Sequence, residues 1–284
     1  GVPDPSAEDT AAPRTKRPPR WSLANWPVRW KVLAIALVPL LLAALFGGLR
    51  IHGSATEARD LRLAANRAAL VPAITAYMAA LENALVTVTA NEDPAQAVSD
   101  FEARHAQLGQ RLGATDAVSD VRLAVTTLLD HGTDLIAKSR ADAIDLRQRV
   151  TTFAPLLLTA ETAINGSVRI GDEAIRSQAE GLGRAVAAQG QMAVQKMMVE
   201  RGGDLPDPDL RTSMVALAGT EPSTVTGMGV LLGAASEEAS ALRSQMVERS
   251  SILSDPSVPL AGNEQMLASI QKTDDIARKL IGST

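Results

Sequence analysis

With 284 residues, a formal net charge of −4 and 46% hydrophobic content, the chain is long enough for one large or two small packed domains. It has no cysteine, which excludes disulfide staples, thiolate metal sites and thiol chemistry. The charge is uneven: residues 1–31 carry six basic and three acidic side chains (+3), while the part from Arg50 onward carries 22 against 29 (−7), which excludes nucleic acid as its partner.

Residues 1–20 are Pro-rich and polar, and residues 1–28 are expected to form a disordered basic tail. The segment 29–50 centres on Val32–Leu49 (VLAIALVPLLLAALFGGL), 18 positions without a charged or amide side chain. As a helix it reaches about 27 Å, close to the hydrocarbon thickness of a bilayer. Backbone polar groups in lipid must pair internally, so the segment is read as one transmembrane helix, with Pro39 and Gly47-Gly48 tolerated within it. Arg14, Lys16, Arg17, Arg20, Arg29 and Lys31 precede it and only Arg50 follows at once, which places the N-terminus in the cytoplasm and the remainder outside. Trp21, Trp26 and Trp30 fall at the inner interface, and the basic flank faces anionic lipid. A cleaved signal peptide is the competing reading. The length of the apolar run, its long lead and the lack of an Ala-x-Ala site in Arg50–Ala55 favour an uncleaved anchor.

Past the membrane the only aromatic residues are Tyr77, Phe101 and Phe153, and good helix formers dominate. From Ala55 to Ala90 a helix is predicted, with a break at Pro72 and an apolar face of Leu70, Ile74, Tyr77, Leu81, Leu85 and Val88. Asp93-Pro94-Ala95-Gln96 reads as a helix start in which Asp93 caps and Gln96 reaches back; that helix runs to Gly113. Val118, Val121, Val125, Leu128, Gly132 and Leu135 step by three and four, the seam of a packed helix. Ala141–Ile164 is a further helix, closed by a turn at Asn165-Gly166-Ser167.

A long helix over Ser167–Arg201 follows, its packing face carrying Val168, Gly171, Ile175, Ala179, Leu182, Val186, Gly190, Ala193 and Met197. Gly202-Gly203 ends it, and Asp207-Pro208 starts a short helix to Ala218. One helix is predicted from Thr220-Glu221-Pro222 to Ser254, and a last one is capped by Asn263. Period-two alternation is absent. The fold class is therefore all-α: one N-terminal transmembrane helix, then an extracellular domain of two four-helix-type bundles over 51–165 and 166–284. Ala80–Pro94 and Val194–Pro208 have the outline of a distant internal repeat.

No catalytic set is present, so an enzyme is the least favoured class. His52, His105 and His131 lie on separate segments as solvated helix positions, and Met192, Met197, Met198, Met228 and Met246 read as core filling; no metal or cofactor is implied. Arg201, beside Glu200 at the end of the long helix, admits two readings. It is either a cation stabilising a helix C-terminus, or a planar donor fork aimed into a bundle to hold a small oxyanion.

An all-helical region after a single anchor, with Glu-Arg-Gly, a loop and a Pro-initiated helix, resembles the nitrate- and nitrite-sensing (NIT) domain. More narrowly, RWKVLAIALVPLLLAALFGGLRI, AYMAALENALVTVTANEDP, VERGGDL and VALAGTEPSTVTG look like actinobacterial sensor histidine kinases that carry it. The resemblance implies two four-helix bundles outside the membrane, then a second membrane helix, a HAMP linker and a kinase, the last three lying beyond the given residues. It further implies a homodimeric two-component receptor with nitrate or nitrite as ligand. Glu200, Arg201 and Gly202 match the family's ligand-facing pattern, Met198 stands where glutamine is expected, and Leu81–Val86 has neither Glu-Arg nor glycine. Arg104, Arg211 and Arg243 are candidate second donors, each on a helix expected near the motif. The rival reading from another class is a membrane-anchored helical scaffold that binds a protein partner through an apolar groove and no small molecule.

Overall fold

Leu70, Ile74, Tyr77, Leu81, Leu85 and Val88 recur at helical spacing, and all six are buried on one helix, α1 (Leu70–Thr89). The computed structural model describes residues 57–168, 173–233 and 236–284; the basic tail and the expected membrane segment Val32–Leu49 lie outside the described residues. The elements after α1 are α2 (Ala95–Ala114), α3 (Ser119–Arg140), α4 (Leu146–Ser167), α5 (Glu173–Glu200), a 3₁₀ turn (Gly202–Asp204), α6 (Asp207–Ala218), α7 (Glu221–Gly227), α8 (Gly229–Leu232), α9 (Glu237–Ser254) and α10 (Glu264–Gly282). Among the described residues no strand occurs. The all-α expectation holds.

Residues Asp60–Thr284 form one compact unit. Its spine is α5, which packs against α1 and α4 and against α10, with α6, α7 and α8 along it. Small residues on α5 permit the close approach: a Cβ added at Gly190 would sit 2.1 Å from Leu157 Cδ2 of α4. The main apolar cluster draws on both predicted halves, from Leu70 through Met197 to Ile270, while a smaller one gathers Ala185, Met228, Leu242 and Ala277. The residue-165 boundary falls inside α4, which continues through Gly166 to Ser167. In α3 the predicted seam is also a seam in space. Gly132 there meets Tyr77, whose hydroxyl donates to the Leu128 carbonyl; a Cβ at Gly132 would stand 2.0 Å from that oxygen, so only glycine fits.

One helix among the described residues, Glu57–Thr89, is long and apolar enough to cross a membrane by length and composition. Its apolar side chains from Leu70 onward are buried against α2, α3, α4 and α5, so this helix already has the partners a bundle core supplies.

Several local expectations are corrected. The break expected at Pro72 falls three residues earlier, at Ala69, where helix 57–68 gives way to α1, beside the Ala68 carbonyl to which Pro72 has no N–H to donate. The N-cap of α2 is Pro94, one residue later than expected and without a side-chain cap bond. Asp93 accepts from the Ala95 N–H at 3.1 Å just outside the helix, and Gln96 turns forward to Asp100 (2.8 Å) instead of back. Helix α4 starts at a full capping box between Asp145 and Gln148. The single helix expected from Thr220 to Ser254 is three, interrupted at Met228 and again at Gly233, which takes φ +67° where side chains are strained. Asn263 caps α10 as read, accepting from the Met266 N–H at 2.8 Å. Asn263→Ala is expected to lower stability by about 1 kcal/mol, measurable as a fall in melting temperature.

Candidate functional site

The C-terminal residue of α1, Thr89, is where two guanidinium groups from different helices meet. A helix end leaves carbonyls without intrahelical partners, and Arg201, just past α5, satisfies one of them: its Nη1 donates to the Thr89 carbonyl at 2.8 Å. Its Nε and Nη2 reach Asp204 on the 3₁₀ turn at 3.1 and 2.9 Å. From the first turn of α4, Arg149 comes to the same residue, with Nη1 3.3 Å from Thr89 Oγ1. Arg149 is only 3% exposed. Its Nε donates to the Ile144 carbonyl (3.2 Å), and its Nη2 to the Ser139 carbonyl (3.2 Å) and Asp142 (2.9 Å). Asp142 is held in the α3–α4 loop with φ +51°.

These groups line a cleft of about 710 Å³ bounded by Thr89, the loop from Asp142 to Arg149, Arg201 and Leu205. Burial lowers the pKa of Arg149; Asp142 opposes that shift and the neighbouring Arg201 charge adds to it. The two cations therefore feel each other across Thr89. Three of their N–H groups have no protein acceptor among the described residues: one on Arg149 Nη1, one on Arg201 Nη1 and one on Arg201 Nη2. The carboxylates that balance them are exposed, Asp142 at 84% and Asp204 at 55% of the side chain. Exposed carboxylates are held weakly and can be displaced. The arrangement suits a small planar oxyanion, for which guanidinium forks offer paired donors.

The residues singled out in the sequence separate in space. Arg201 is in the cleft. Glu200 turns the other way: its Oε1 is 3.9 Å from Lys196, its Oε2 is buried without a partner, and burial raises its pKa, with Lys196 opposing and Glu92 adding. Arg211 has all five N–H groups engaged, on Asp207 and on the Ile252, Leu253 and Val258 carbonyls, where it closes the C-terminal end of α9. Arg104 is exposed on α2, bonded to Gln107, and Arg243 borders a separate cavity with Pro222, Val225 and Met246. None of these three lines the cleft.

Arg149 was not read as a donor, although a signal exists. Leu146, Arg149, Phe153, Leu156, Ala160, Ala163 and Ser167 step by three and four, which puts Arg149 on the buried stripe of α4. His105, expected in solvent, is half-buried beside Tyr77 and Phe101, with Nε2 3.2 Å from the Leu129 carbonyl; His131 is exposed. Among the described residues no group of three or more His, Cys, Asp or Glu side chains is placed to hold a metal ion. No protein-family model, curated protein or solved structure matches the chain.

Proposed function

We propose that this chain is the sensory region of a membrane receptor, and that its ligand is a small oxyanion of the nitrate or nitrite class bound between Arg149 and Arg201. The observation that carries the reading is the convergence of the two guanidiniums on Thr89 with N–H groups still free for an acceptor. The resemblance to NIT-domain sensor kinases supports the same reading. In it the segment 29–50 anchors the protein in the plasma membrane with the N-terminus in the cytoplasm, the helical region lies outside, and a homodimer passes the signal to a kinase.

The chemistry of sensing follows from the ion pairs. An anion entering the cleft competes with Asp142 and Asp204 for the two forks, which frees the α3–α4 loop and the 3₁₀ turn after α5. Because α5 is the spine of the unit, a small change at its C-terminal end biases its packing against α1, α4 and α10. Such a ligand shifts the equilibrium only by its difference in affinity for the two packings.

Calorimetric titration of the full chain in detergent with sodium nitrate and nitrite is expected to show saturable binding absent from sodium chloride. Arg201→Ala should weaken it at least tenfold, about 1.4 kcal/mol. Arg201→Lys should restore little of it, because a point charge lacks the fork. Equal affinity in wild type and Arg201→Ala, or no nitrate or nitrite heat from a normally helical protein, removes the ligand assignment.

A further inference from the structure

A second charged side chain sits where a helix would ordinarily bury something apolar. Glu82, in the middle of α1, is 2% exposed, and neither of its carboxylate oxygens has a hydrogen-bond partner. Among buried polar groups this is rare, and an unpartnered one needs a reason. Glu82 lines a cavity of about 280 Å³ between α1, α5 and α10, separate from the Arg149–Arg201 cleft. Neither nearby cation hydrogen-bonds to it: Arg278 donates from Nε to Asp274 at 2.7 Å, and Lys196 Nζ is paired with Glu200 at 3.9 Å.

We infer that this cavity binds a small organic ammonium ion, with Glu82 as the buried counter-charge. Four properties of the site define that class. The oxygens without a donor call for N–H groups. The other charges of the lining, two aspartates (Asp274, Asp275) against two cations (Lys196, Arg278), cancel, so an ionised Glu82 has no surplus positive charge to answer it and calls for a cation. The floor of Val86, Met192 and Ile270 calls for a short apolar body on that cation. The volume far exceeds the roughly 10–15 Å³ a single water occupies, and no metal-holding group of side chains occurs among the described residues. An alkylammonium meets all four; a bare ion or a neutral alcohol does not.

Burial and, after it, the Asp274 charge push the Glu82 pKa well up, with Arg278 opposing. The groups facing Glu82 are Lys196 from α5 and Asp274, Asp275 and Arg278 from α10. A cation bound at Glu82 favours the ionised carboxylate, so binding displaces a proton and tightens as pH rises toward the carboxyl's raised value.

The test is titration of the full chain in detergent with n-butylammonium chloride, with 1-butanol as the neutral isostere, in two buffers of different ionisation enthalpy. Expected are saturable binding of the ammonium only, proton release on binding, and tighter binding at higher pH. Glu82→Gln, matched to wild type in helicity, should bind at least about tenfold more weakly. Arg201→Ala should bind the ammonium as wild type does, which separates this site from the oxyanion cleft. Absence of saturable binding, equal binding of 1-butanol, or undiminished affinity in Glu82→Gln overturns the inference. Wild-type proton release and pH dependence decide the question on their own if the variant does not fold.

Discussion

Arg249→Ala is expected to destabilise the protein by about 3–5 kcal/mol, the range for removing one partner of a buried ion pair. Arg249 is 1% exposed and Glu221 4%, and their Nη2 and Oε2 atoms are 2.5 Å apart. Around them Gln195 of α5 donates to Glu221, and Arg249 Nη1 donates to Thr273 Oγ1 (2.6 Å) and Ser269 Oγ (3.1 Å) of α10. One network thus joins α5, α7, α9 and α10. Removing the arginine leaves the Glu221 carboxylate in the interior with Gln195 as its remaining donor, and the desolvation of that charge is what the variant loses. A melting-temperature fall of about 6–20 °C should accompany it in a unit of this size. The double replacement Arg249→Met with Glu221→Leu should recover most of the loss, because two matched apolar side chains leave no unpaired charge. A single-variant loss within about 0.5 kcal/mol, as for an ordinary surface change, would contradict this account.

How far the fold could be read beforehand depended on which interaction set each feature. Helices α1 and α3 were legible because their apolar stripes are strong and local, from Leu70 to Val88 and from Val121 to Leu135. The N-cap at Asn263 was legible for the same reason: the cap and the N–H it satisfies lie three residues apart. What escaped was set by distant partners. Arg211 looks like any helix-surface cation until the end of α9, some 41–47 residues on, is brought to it. Arg149 and Arg249 escaped because a lone charge is read as a surface residue by default. Yet Ala239, Leu242, Met246, Arg249 and Leu253 step by three and four, so a charge on the stripe was visible in the sequence of α9. The same test flags Glu82, which follows Met78 by four and precedes Leu85 by three on α1. Of the cleft at Thr89, the helix end at Arg201 was legible and the partner helix was not.

Glu82→Met should have the opposite sign to the Arg249 variant: a gain in stability. The carboxyl is buried without a donor, and such a group costs about 1–3 kcal/mol relative to an apolar side chain of similar length. The expected rise in melting temperature is about 2–12 °C. The pH dependence fixes the cause. Burial raises the folded-state pKa of Glu82 above its unfolded value near 4.3, so the folded protein holds that proton more tightly than the unfolded chain does. Its contribution is therefore most favourable below the unfolded value and is lost as pH rises through the raised one. The margin by which Glu82→Met exceeds wild type should accordingly widen with rising pH. Other carboxyls with raised values and no coupling to Glu82, such as Glu161 and Glu200, are common to both proteins and largely cancel in the comparison. Urea unfolding of the two proteins at several pH values measures it. A margin that is flat or shrinks with pH would mean that Glu82 already has an internal partner in the folded protein, and the case for a ligand supplying one would lose its basis. A widening margin, together with loss of ammonium binding in Glu82→Gln, marks a residue kept for binding at the expense of stability.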